Sequence, residues 1–302
     1  MPTTSRQVLL ASRPHGEPTA ANFSIVETPL ADPGPDQVLL KIRYLSLDPY
    51  MRGRMNDAKS YAAPVPVGGV MEGGTVGEVV VSNSERFRPG DIVLSHSGWQ
   101  SHAIADAKDL RKVDPTAAPI STAVGVLGMP GMTAYTGLLT IGQPKPGETV
   151  VVAAATGPVG SAVGQIAKIK GARAVGIAGG ADKVRALTEE FGFDVGLDHR
   201  SPTFAADLKA ACPDGIDVYF ENVGGHVFDA VFPLLNFFAR IPVCGLIAQY
   251  NATSLPDGPD RLPLLMRDVL TKRLNFRGFI VRDFADQSKA FFTDMSRWIA
   301  EG

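Results

Sequence analysis

The hydrophobic and polar positions divide the chain into two regions of different periodicity. Up to residue 123, short runs rich in valine and isoleucine are separated by turns containing proline or glycine, a pattern typical of strands in a small barrel or sandwich. From residue 148 onwards, continuous apolar runs alternate with segments of helical spacing. This order predicts an α/β domain in which a parallel sheet is covered by helices on both faces.

These two patterns predict the following elements. In the first region the strands are 37–44, 74–81 and 91–95. In the second region the strands are 148–155, 172–177, a short one at Val195, 217–221, 238–246 and 275–280. Right-handed crossovers should connect them through the helices 159–170, 182–191, 204–211, 227–235 and 262–271.

The domain organisation follows from the length and from the change of pattern. A chain of 302 residues is long for a single core, so two domains are expected. We predict a β-rich domain at 1–123 and a doubly wound α/β domain at 124–285. Large apolar residues recur at helical spacing in 286–302, which predicts a C-terminal helix returning toward the first domain. A strand completing the first domain is expected after it, so the chain is interpreted as truncated.

The composition is that of an ordinary globular enzyme, 45% hydrophobic and 20% charged. A formal net charge of -2 disfavours nucleic-acid binding, which needs a basic face. The two cysteines, Cys212 and Cys244, form no CxxC pattern, so we expect a reducing cytoplasm. Residues 115–144 carry no charge, but Pro119, Pro130 and several glycines interrupt them, which argues against a membrane span.

A glycine turn between a strand and a helix is the clearest functional motif. The strand ending at Ala155 runs into Thr156-Gly157-Pro158-Val159-Gly160, in the spacing of a dinucleotide fingerprint. Gly157 would let the backbone approach a pyrophosphate, and Gly160 would let the helix pack closely on the strand. The start of the helix then offers N–H groups and a positive dipole end to the phosphates. The alternative is a tight turn without a ligand.

The next strand indicates which dinucleotide is bound. Enzymes that prefer NAD place a carboxylate about 20 residues further on, where it binds the ribose 2′-hydroxyl. Here the strand ends in Ala178-Gly179-Gly180, and the cations Lys183 and Arg200 and the residue His199 follow. Cations without a carboxylate suit a 2′-phosphate, so we predict NADP(H). Asp182 is either a ribose ligand after all or the N-cap of the following helix.

The first region lacks the ligands of a catalytic zinc. It contains no cysteine, and its three histidines, His15, His96 and His102, are not joined by clustered carboxylates, so no metal site is predicted. Hydride transfer without a Lewis acid suits a substrate that is already electrophilic, such as an α,β-unsaturated ketone. The negative charge that then collects on the carbonyl oxygen needs hydrogen-bond donors, and the α-carbon needs a proton.

Tyrosine hydroxyls can supply both the hydrogen bond and the proton. Three of the six tyrosines lie in a strand or in apolar runs and are predicted to be core residues: Tyr44, Tyr135 and Tyr219. The other three lie in turns or just beyond a strand and are the candidates for catalysis, with a surface position as the alternative: Tyr50, Tyr61 and Tyr250.

Several segments together resemble a known family. Besides the glycine turn, these are 45–55, 128–135, 217–225 and 244–251. The chain resembles the zinc-independent enone reductases of the medium-chain dehydrogenase/reductase superfamily, which include prostaglandin reductases, plant double-bond reductases and bacterial curcumin reductases. The resemblance implies a GroES-like catalytic domain, a Rossmann domain, NADP(H) as cofactor and reduction of an enone carbon–carbon double bond.

The resemblance also implies roles for individual residues. It assigns Tyr50 and Tyr61 to the substrate and Tyr250 to the nicotinamide ribose. It assigns the pyrophosphate to Thr156–Gly160 and the 2′-phosphate to Lys183. The remaining predicted cofactor contacts, some of them expected from strand ends, are Met129, Thr133, Gly179, His199, Arg200, Asn222, Cys244, Gly245, Leu246, Ile247, Phe279, Ile280 and Val281.

Three points stay open at this level. His199 stands where relatives often have tyrosine. A quinone reductase, or a protein that binds NADP without catalysis, would carry the same glycine turn. A homodimer is expected through the sheet edge at 275–280, because an exposed strand edge favours pairing.

Overall fold

The computed structural model describes residues 3–256 and 258–302. It divides into two compact units, Met1–Gly128 and Met129–Gly302, each with its own hydrophobic core. The sequence predicts the boundary after residue 123, and the division in the structure follows Gly128.

The first unit is built from antiparallel strands. A five-stranded sheet has the order β6-β3-β4-β5-β7, and a separate hairpin pairs β1 with β2. The elements are β1 (Thr4–Leu10), β2 (Phe23–Pro29), β3 (Gln37–Leu45), α1 (Tyr50–Arg54), β4 (Thr75–Ser82), β5 (Ile92–Ser95), β6 (His102–Asp106) and β7 (Arg111–Lys112).

The core of the first unit explains why β3, β4 and β5 were predictable. Their inward-facing residues, among them Val38, Leu40, Val79 and Val93, are fully or almost fully buried in one cluster. Strands β1, β2, β6 and β7 were missed; each has at most two buried residues, so their sequences carry only a weak pattern of burial. The prediction that Tyr44 is a core residue is wrong: it lies near the end of β3 with 47% of its surface exposed.

The second unit contains one parallel sheet of six strands in the order β10-β9-β8-β11-β12-β13. The fold class predicted from the sequence, a β-rich domain plus a doubly wound Rossmann domain, is confirmed. The elements are α2 (Met129–Thr136), a π-helical segment (Gly137–Gly142), β8 (Thr149–Val152), α3 (Pro158–Ile169), β9 (Arg173–Ala178), α4 (Ala181–Glu189), β10 (Val195–Asp198), α5 (Phe204–Ala211), β11 (Ile216–Phe220), α6 (Gly225–Val231), β12 (Leu235–Val243), α7 (Leu262–Lys272), β13 (Asn275–Gly278) and α8 (Ser288–Glu301).

Burial on both faces makes the central strands easy to recognise in the sequence. All four residues of β8 are buried, as expected for a parallel strand between two helical layers. The β12 prediction, 238–246, was shifted toward the C-terminus. Strand β12 contains a bulge between the pairs Ile216↔Leu235 and Val218↔Arg240, and Phe238 adopts a positive φ of 62° there. The hydrophobic periodicity of the sequence does not predict such a bulge.

The C-terminal helix belongs to the second unit. Phe291, Met295 and Trp298 are its buried residues, which confirms the helical spacing. The Tyr135 hydroxyl donates a hydrogen bond of 2.8 Å to Asp294, and the ring packs against Phe291 and Trp298. Tyr135 and Tyr219 are buried, as predicted. Within the residues that the structure describes, no helix is both long and apolar enough to cross a membrane.

Candidate functional site

The glycine turn lies between β8 and α3, where the first strand of the parallel sheet along the chain leads into the helix that follows it. A Cβ atom at Gly160 would lie 2.4 Å from the carbonyl oxygen of Ala154 and 2.7 Å from the Cα atom of Ala155. These distances are shorter than any van der Waals contact, so only glycine lets α3 pack this closely on the strand. At Gly157 the nearest atom would be 3.2 Å away.

The turn has one feature that the sequence did not reveal. Ala154 adopts a positive φ of 51°, in the left-handed region that side-chain-bearing residues avoid. The amide of Gly157 donates a 3.0 Å hydrogen bond to the Ala154 carbonyl, which closes the turn. Backbone strain of this kind is typical of ligand-binding turns. Helix α3 then begins at Pro158, as is common for proline in a first turn.

A second group of predicted residues meets at the ends of β9 and β10. A Cβ atom at Gly179 would lie 2.8 Å from Nε2 of His199 and 2.9 Å from Nε of Arg200. These two nitrogens therefore converge over the Cα atom of Gly179. Lys183 lies exposed in the first turn of α4, the helix that starts directly after Gly180. The structure thus brings Nε2 of His199 and Nε of Arg200 to the tip of the second strand. The Asp198 carboxylate lies at the same strand end, where it accepts a hydrogen bond from the Gly180 amide.

The position of Asp182 in α4 excludes one of its two predicted roles. The helix begins at Ala181 with Gly180 as its N-cap, so the interpretation of Asp182 as the N-cap is wrong. Asp182 lies inside the first turn and accepts a 2.9 Å hydrogen bond from Arg185.

His199 is paired with a histidine that no sequence motif singles out. Its Nδ1 atom lies 3.0 Å from Nε2 of His226, at the start of α6, and the ring centroids are 5.1 Å apart. Burial, followed by the neighbouring His226 and Arg200, lowers the pKa of His199. The ring is therefore neutral at pH 7. Only the spatial proximity of the β10 and α6 ends reveals this pair, since 27 residues separate the two histidines along the chain.

A buried glutamate organises the loop after β11. Glu221 is 2% exposed, and one carboxylate oxygen accepts hydrogen bonds from the Tyr219 hydroxyl at 3.0 Å and from the amides of Val223 at 2.7 Å and Gly224 at 2.8 Å. The second oxygen has no hydrogen-bond partner among the described residues. Burial raises the pKa of this carboxyl group. Gly224, with a φ of 75°, gives the loop the turn that directs both amides to one oxygen.

The same glutamate joins this loop to the one after β12. Its backbone carbonyl accepts hydrogen bonds from the amides of Cys244 at 2.9 Å and Gly245 at 3.1 Å. The side-chain amide of Asn222 donates a 2.8 Å hydrogen bond to the carbonyl of Ala153, which ties the β11 end to the glycine turn. The C-terminal ends of three neighbouring strands are therefore fixed together, where ligands bind in this class of sheet.

Tyr250 lies against the loop after β12. The Leu246 amide donates a 3.3 Å hydrogen bond to its hydroxyl oxygen, and that oxygen would lie 3.0 Å from a Cβ atom at Gly245. Ile247 starts a short helical turn, and the Ile247 amide donates a 3.2 Å hydrogen bond to the Asn222 carbonyl. The Cys244 side chain is half-buried, and burial together with Glu221 raises its pKa to about 12. Such a thiol is not a nucleophile at neutral pH.

The predicted nicotinamide-side residues lie in α2 and beyond β13. The Thr133 hydroxyl is buried and donates a 2.8 Å hydrogen bond to the carbonyl of Met129, one turn earlier. Phe279 packs edge-on against Phe220 with centroids 6.3 Å apart. Phe279, Ile280 and Val281 follow the end of β13 and are half-buried.

The first unit contains the other two predicted tyrosines, grouped around a buried arginine. We call Tyr50, Arg54, Tyr61 and Glu72 the arginine cluster. Arg54 is 3% exposed; its Nε donates a 2.7 Å hydrogen bond to Glu72, and a terminal nitrogen donates to the carbonyl of Ala62 at 3.2 Å. The guanidinium carbon lies 4.4 Å from the centre of the Tyr61 ring and 5.6 Å from that of Tyr50.

The two tyrosines of this cluster differ in exposure. Tyr61 is 56% exposed, whereas Tyr50 is half-buried at the start of α1 rather than in a loop as predicted. Burial, followed by Glu72 and Asp48, raises the pKa of Tyr50 to about 12. Its hydroxyl therefore keeps its proton at any physiological pH. Arg54 was not predicted, because no local pattern distinguishes it from Arg52 in the same helix.

Among residues 3–256 and 258–302, no group of three or more histidine, cysteine, aspartate or glutamate side chains is arranged to hold a metal ion. His96 is exposed. His102 is half-buried in β6, with Nδ1 3.2 Å from the Ser101 hydroxyl, and burial lowers its pKa.

Comparison with known proteins gives the family. Residues 6–113 match the family described as "N-terminal domain of oxidoreductase", and residues 158–301 match "Zinc-binding dehydrogenase". The NADPH-dependent curcumin reductase of Escherichia coli (strain K12) is 59% identical over 298 residues, which cover 98% of this chain and 86% of that protein. Prostaglandin reductase 1 of Rattus norvegicus is 41% identical, with coverage of 95% and 85%.

A solved structure agrees with these relatives. CurA from Vibrio vulnificus, in complex with NADPH, is 55% identical and superposes with a TM-score of 0.94, covering 98% of this chain and 88% of that one. The chain belongs to the NADP-dependent enone reductases of the medium-chain dehydrogenase/reductase superfamily. The family predicted from the sequence segments is thus confirmed.

Proposed function

We propose that this chain binds NADP(H) and reduces the carbon–carbon double bond of α,β-unsaturated ketones and aldehydes. The observation that carries the proposal is the glycine turn, where α3 packs so closely on β8 that a Cβ atom at Gly160 would overlap the backbone. His199 and Arg200 converging over Gly179 fit the extra phosphate of NADP(H). The curcumin and prostaglandin reductases that resemble this chain support the same cofactor and substrate class.

The residues that would hold the cofactor follow from these two clusters. Thr156–Gly160 would bind the pyrophosphate through backbone amides, and Lys183, His199 and Arg200 would bind the 2′-phosphate. The remaining proposed contacts, with ribose and nicotinamide, are Met129, Thr133, Gly179, Asn222, Cys244, Gly245, Leu246, Ile247, Phe279, Ile280 and Val281. When bound, NADPH supplies the hydride that the β-carbon of the enone accepts.

The chain itself supplies hydrogen bonds and the proton. We assign the main role to the Tyr250 hydroxyl, whose oxygen accepts a hydrogen bond from the Leu246 amide at the loop after β12. Tyr50 and Tyr61 are assigned to the substrate carbonyl. Because the pKa of Tyr50 is raised to about 12, this residue acts as a hydrogen-bond donor and not as a base.

Three further assignments complete the proposal. The protein acts in the cytoplasm, consistent with two free cysteines. Residues 1–123 form the catalytic domain, and 124–285 bind the cofactor. The chain forms a homodimer through β13, which ends the sheet and exposes Asn275, Arg277 and Gly278. A monomer in light scattering would refute the dimer.

The test of the function is NADPH oxidation, followed optically, with a panel of small enones, one quinone and one saturated ketone. We expect turnover of the enones with NADPH, much weaker turnover with NADH, and none of the saturated ketone. A higher kcat/KM for the quinone than for the enones would show that quinones, and not enones, are the preferred substrate class. NADPH binding without turnover of any acceptor would refute catalysis.

A Tyr250→Phe variant tests the main catalytic assignment. Loss of a proton donor lowers kcat by about 100-fold or more, whereas the affinity for NADPH in fluorescence titration should fall by about tenfold at most, the loss of one ribose hydrogen bond. Tyr44→Phe, a change of the same chemistry at an exposed tyrosine, is the matched control. Full activity of Tyr250→Phe would remove the assignment.

A further inference from the structure

The pairing of His199 with His226 determines where the two rings carry their protons. Nε2 of His226 faces two atoms, the His199 Nδ1 at 3.0 Å and the His199 carbonyl oxygen at 3.3 Å. The carbonyl can only accept, so the His226 nitrogen must carry a hydrogen to bond with it. The same N–H then donates to Nδ1 of His199.

This arrangement fixes the tautomer of His199. A neutral imidazole has one N–H and one bare nitrogen, and in His199 the bare nitrogen is Nδ1 because it accepts from His226. The proton of His199 therefore resides on Nε2. His199 is half-buried, and the lowered pKa keeps its ring neutral at pH 7, so this choice of tautomer decides what the ring offers to a ligand.

The protonated nitrogen points to the tip of β9. Nε2 of His199 lies 2.8 Å from the position of a Cβ atom on Gly179, and Nε of Arg200 lies 2.9 Å from the same point. Two N–H donors from neighbouring residues are thus directed over one glycine, where a side chain would exclude both a ligand and these donors. The other tautomer would present a lone pair to the same place and would repel an anion.

We propose that His226 is a positioning residue for the 2′-phosphate of NADPH: it holds His199 in the Nε2–H tautomer, so that His199 and Arg200 donate to that phosphate together. The inference rests on the proposed NADPH-dependent function. Nε2 of His226 is engaged with His199, so the proposed role of His226 is to position His199. Its effect is on the preference for NADPH over NADH, because NADH has no 2′-phosphate.

The charged groups around His199 agree with a donor role. Arg200 and Asp198 flank it on its own segment, and His226 faces it from α6. The Asp198 carboxylate accepts a 2.9 Å hydrogen bond from the Arg200 amide and another from the Gly180 amide, so this acid is engaged with backbone donors at the ends of β9 and β10.

The test compares cofactor affinities of three variants by fluorescence titration with NADPH and with NADH. His226→Ala should weaken NADPH binding about tenfold, the loss expected for one hydrogen bond to a charged group, and leave NADH binding unchanged. His226→Gln carries an amide N–H near the same place and should restore most of the preference. His15→Ala, at an exposed histidine of the first unit, should match the wild type.

A spectroscopic measurement on the cofactor-free protein tests the tautomer itself. With five histidines in the chain, the ¹⁵N signals of His199 can be assigned by comparison with a His199→Gln variant. The wild type should show a protonated Nε2 and a bare Nδ1, and His226→Ala should shift His199 toward a mixture of tautomers.

The outcomes separate this inference from the proposed function. If the wild type binds NADPH no better than NADH, the cofactor assignment fails and the inference fails with it. If the wild type prefers NADPH and His226→Ala keeps that preference, only the inference is refuted. An equal loss of affinity for NADPH and NADH in His226→Ala would also refute the inference, since that result indicates a purely structural role of His226.

Discussion

Two proposed functional regions, one in each unit, are constructed in opposite ways. The glycine turn of the second unit owes its shape to missing side chains, because α3 can approach β8 only while position 160 has no Cβ atom. The arginine cluster of the first unit is held together by a side chain, the buried guanidinium of Arg54, which contacts Glu72, the Ala62 carbonyl and two tyrosine rings. We therefore expect the glycine turn to be destabilised by added side-chain volume, and the arginine cluster by the removal of hydrogen bonds.

This difference explains which part of the site the sequence could predict. A backbone-built turn needs glycines at fixed spacing between a strand and a helix, and that spacing is visible in the chain. The arginine cluster joins residues that are 18 positions apart through side-chain geometry alone. Substitutions in the glycine turn, in the arginine cluster and at the buried Glu221 test this contrast, in decreasing order of expected effect.

Gly160→Ala should have the largest effect, because the added methyl group overlaps backbone atoms that cannot move aside. We expect about 1–3 kcal/mol of lost stability and at least a tenfold loss of NADPH affinity. Gly157→Ala is the matched comparison, since its methyl group finds the nearest atom at 3.2 Å. It should lose NADPH affinity with little change in the unfolding midpoint. Equal midpoints for both variants would contradict the packing role of Gly160.

Arg54→Met should have an intermediate effect. It leaves Glu72 and the Ala62 carbonyl without their donor and removes the support under the Tyr61 ring. The Glu72 side chain is 41% exposed and can turn to solvent, which limits the cost. We therefore expect the free energy of unfolding, measured with denaturant, to fall by about 2 kcal/mol. If the tyrosines contact substrate, kcat/KM for enones should fall as well, while NADPH affinity stays the same.

Two further variants sharpen the arginine result. Arg54→Lys keeps the positive charge but lacks the several N–H donors of a guanidinium, so its free energy of unfolding should lie between those of wild type and Arg54→Met. Arg43→Met removes an arginine–glutamate pair of the same unit whose side chains are 42% and 33% exposed, and should change stability by less than about 1 kcal/mol. If Arg43→Met lost as much stability as Arg54→Met, burial would not be the reason for the effect of Arg54.

Glu221→Gln should have the smallest effect, visible as a change in pH dependence. Burial raises the pKa of Glu221 in the folded protein, so the folded state holds this proton more tightly than the unfolded state. The contribution to stability is therefore fully present below the ordinary glutamate pKa and is lost as pH rises through the raised pKa. Glutamine cannot titrate, so the variant should lack this loss, which is about 1.4 kcal/mol for every tenfold difference in proton affinity between the folded and unfolded states.

Unfolding midpoints of wild type and Glu221→Gln between pH 4 and pH 8 provide the measurement. The wild type should lose stability relative to the variant as pH increases. Glu27→Gln, at an exposed glutamate, is the control and should show no such trend. Parallel pH profiles for wild type and Glu221→Gln would show that the Glu221 pKa is the same in the folded and unfolded states.

Much of the fold was predictable, and the reasons for the misses are physical. Fully buried β8 is a continuous apolar run, so it was found, whereas the hairpin of β1 and β2 has only two buried residues in its first strand and none in its second. Tyr44 was misjudged because strand propensity does not tell which face of a strand is covered. The start of β12 was missed because the bulge at Phe238 shifts its register.

For the site, the sequence indicated positions but not partners. Gly157, Gly160 and the cations near Gly179 follow from motif spacing, and their roles in cofactor binding remain predictions. His226 and Glu221 were not identified, because their importance depends on neighbours supplied by other elements. Asn222 reaches a carbonyl 69 residues away, and His226 reaches a ring 27 residues away. Interactions of this range have no local signal in the chain.

The pairing of β1 has a consequence for the folding of the first unit. The Ser5 hydroxyl donates to the His102 carbonyl across 97 positions, and the Val8 amide donates to the Trp99 carbonyl at 2.9 Å. Such non-local contacts are slow to form because a long loop must close first. During synthesis the segment with Trp99 and His102 emerges on the order of 10 s after β1, at typical ribosome speeds. The rate of translation therefore sets the earliest moment at which the first unit can be complete.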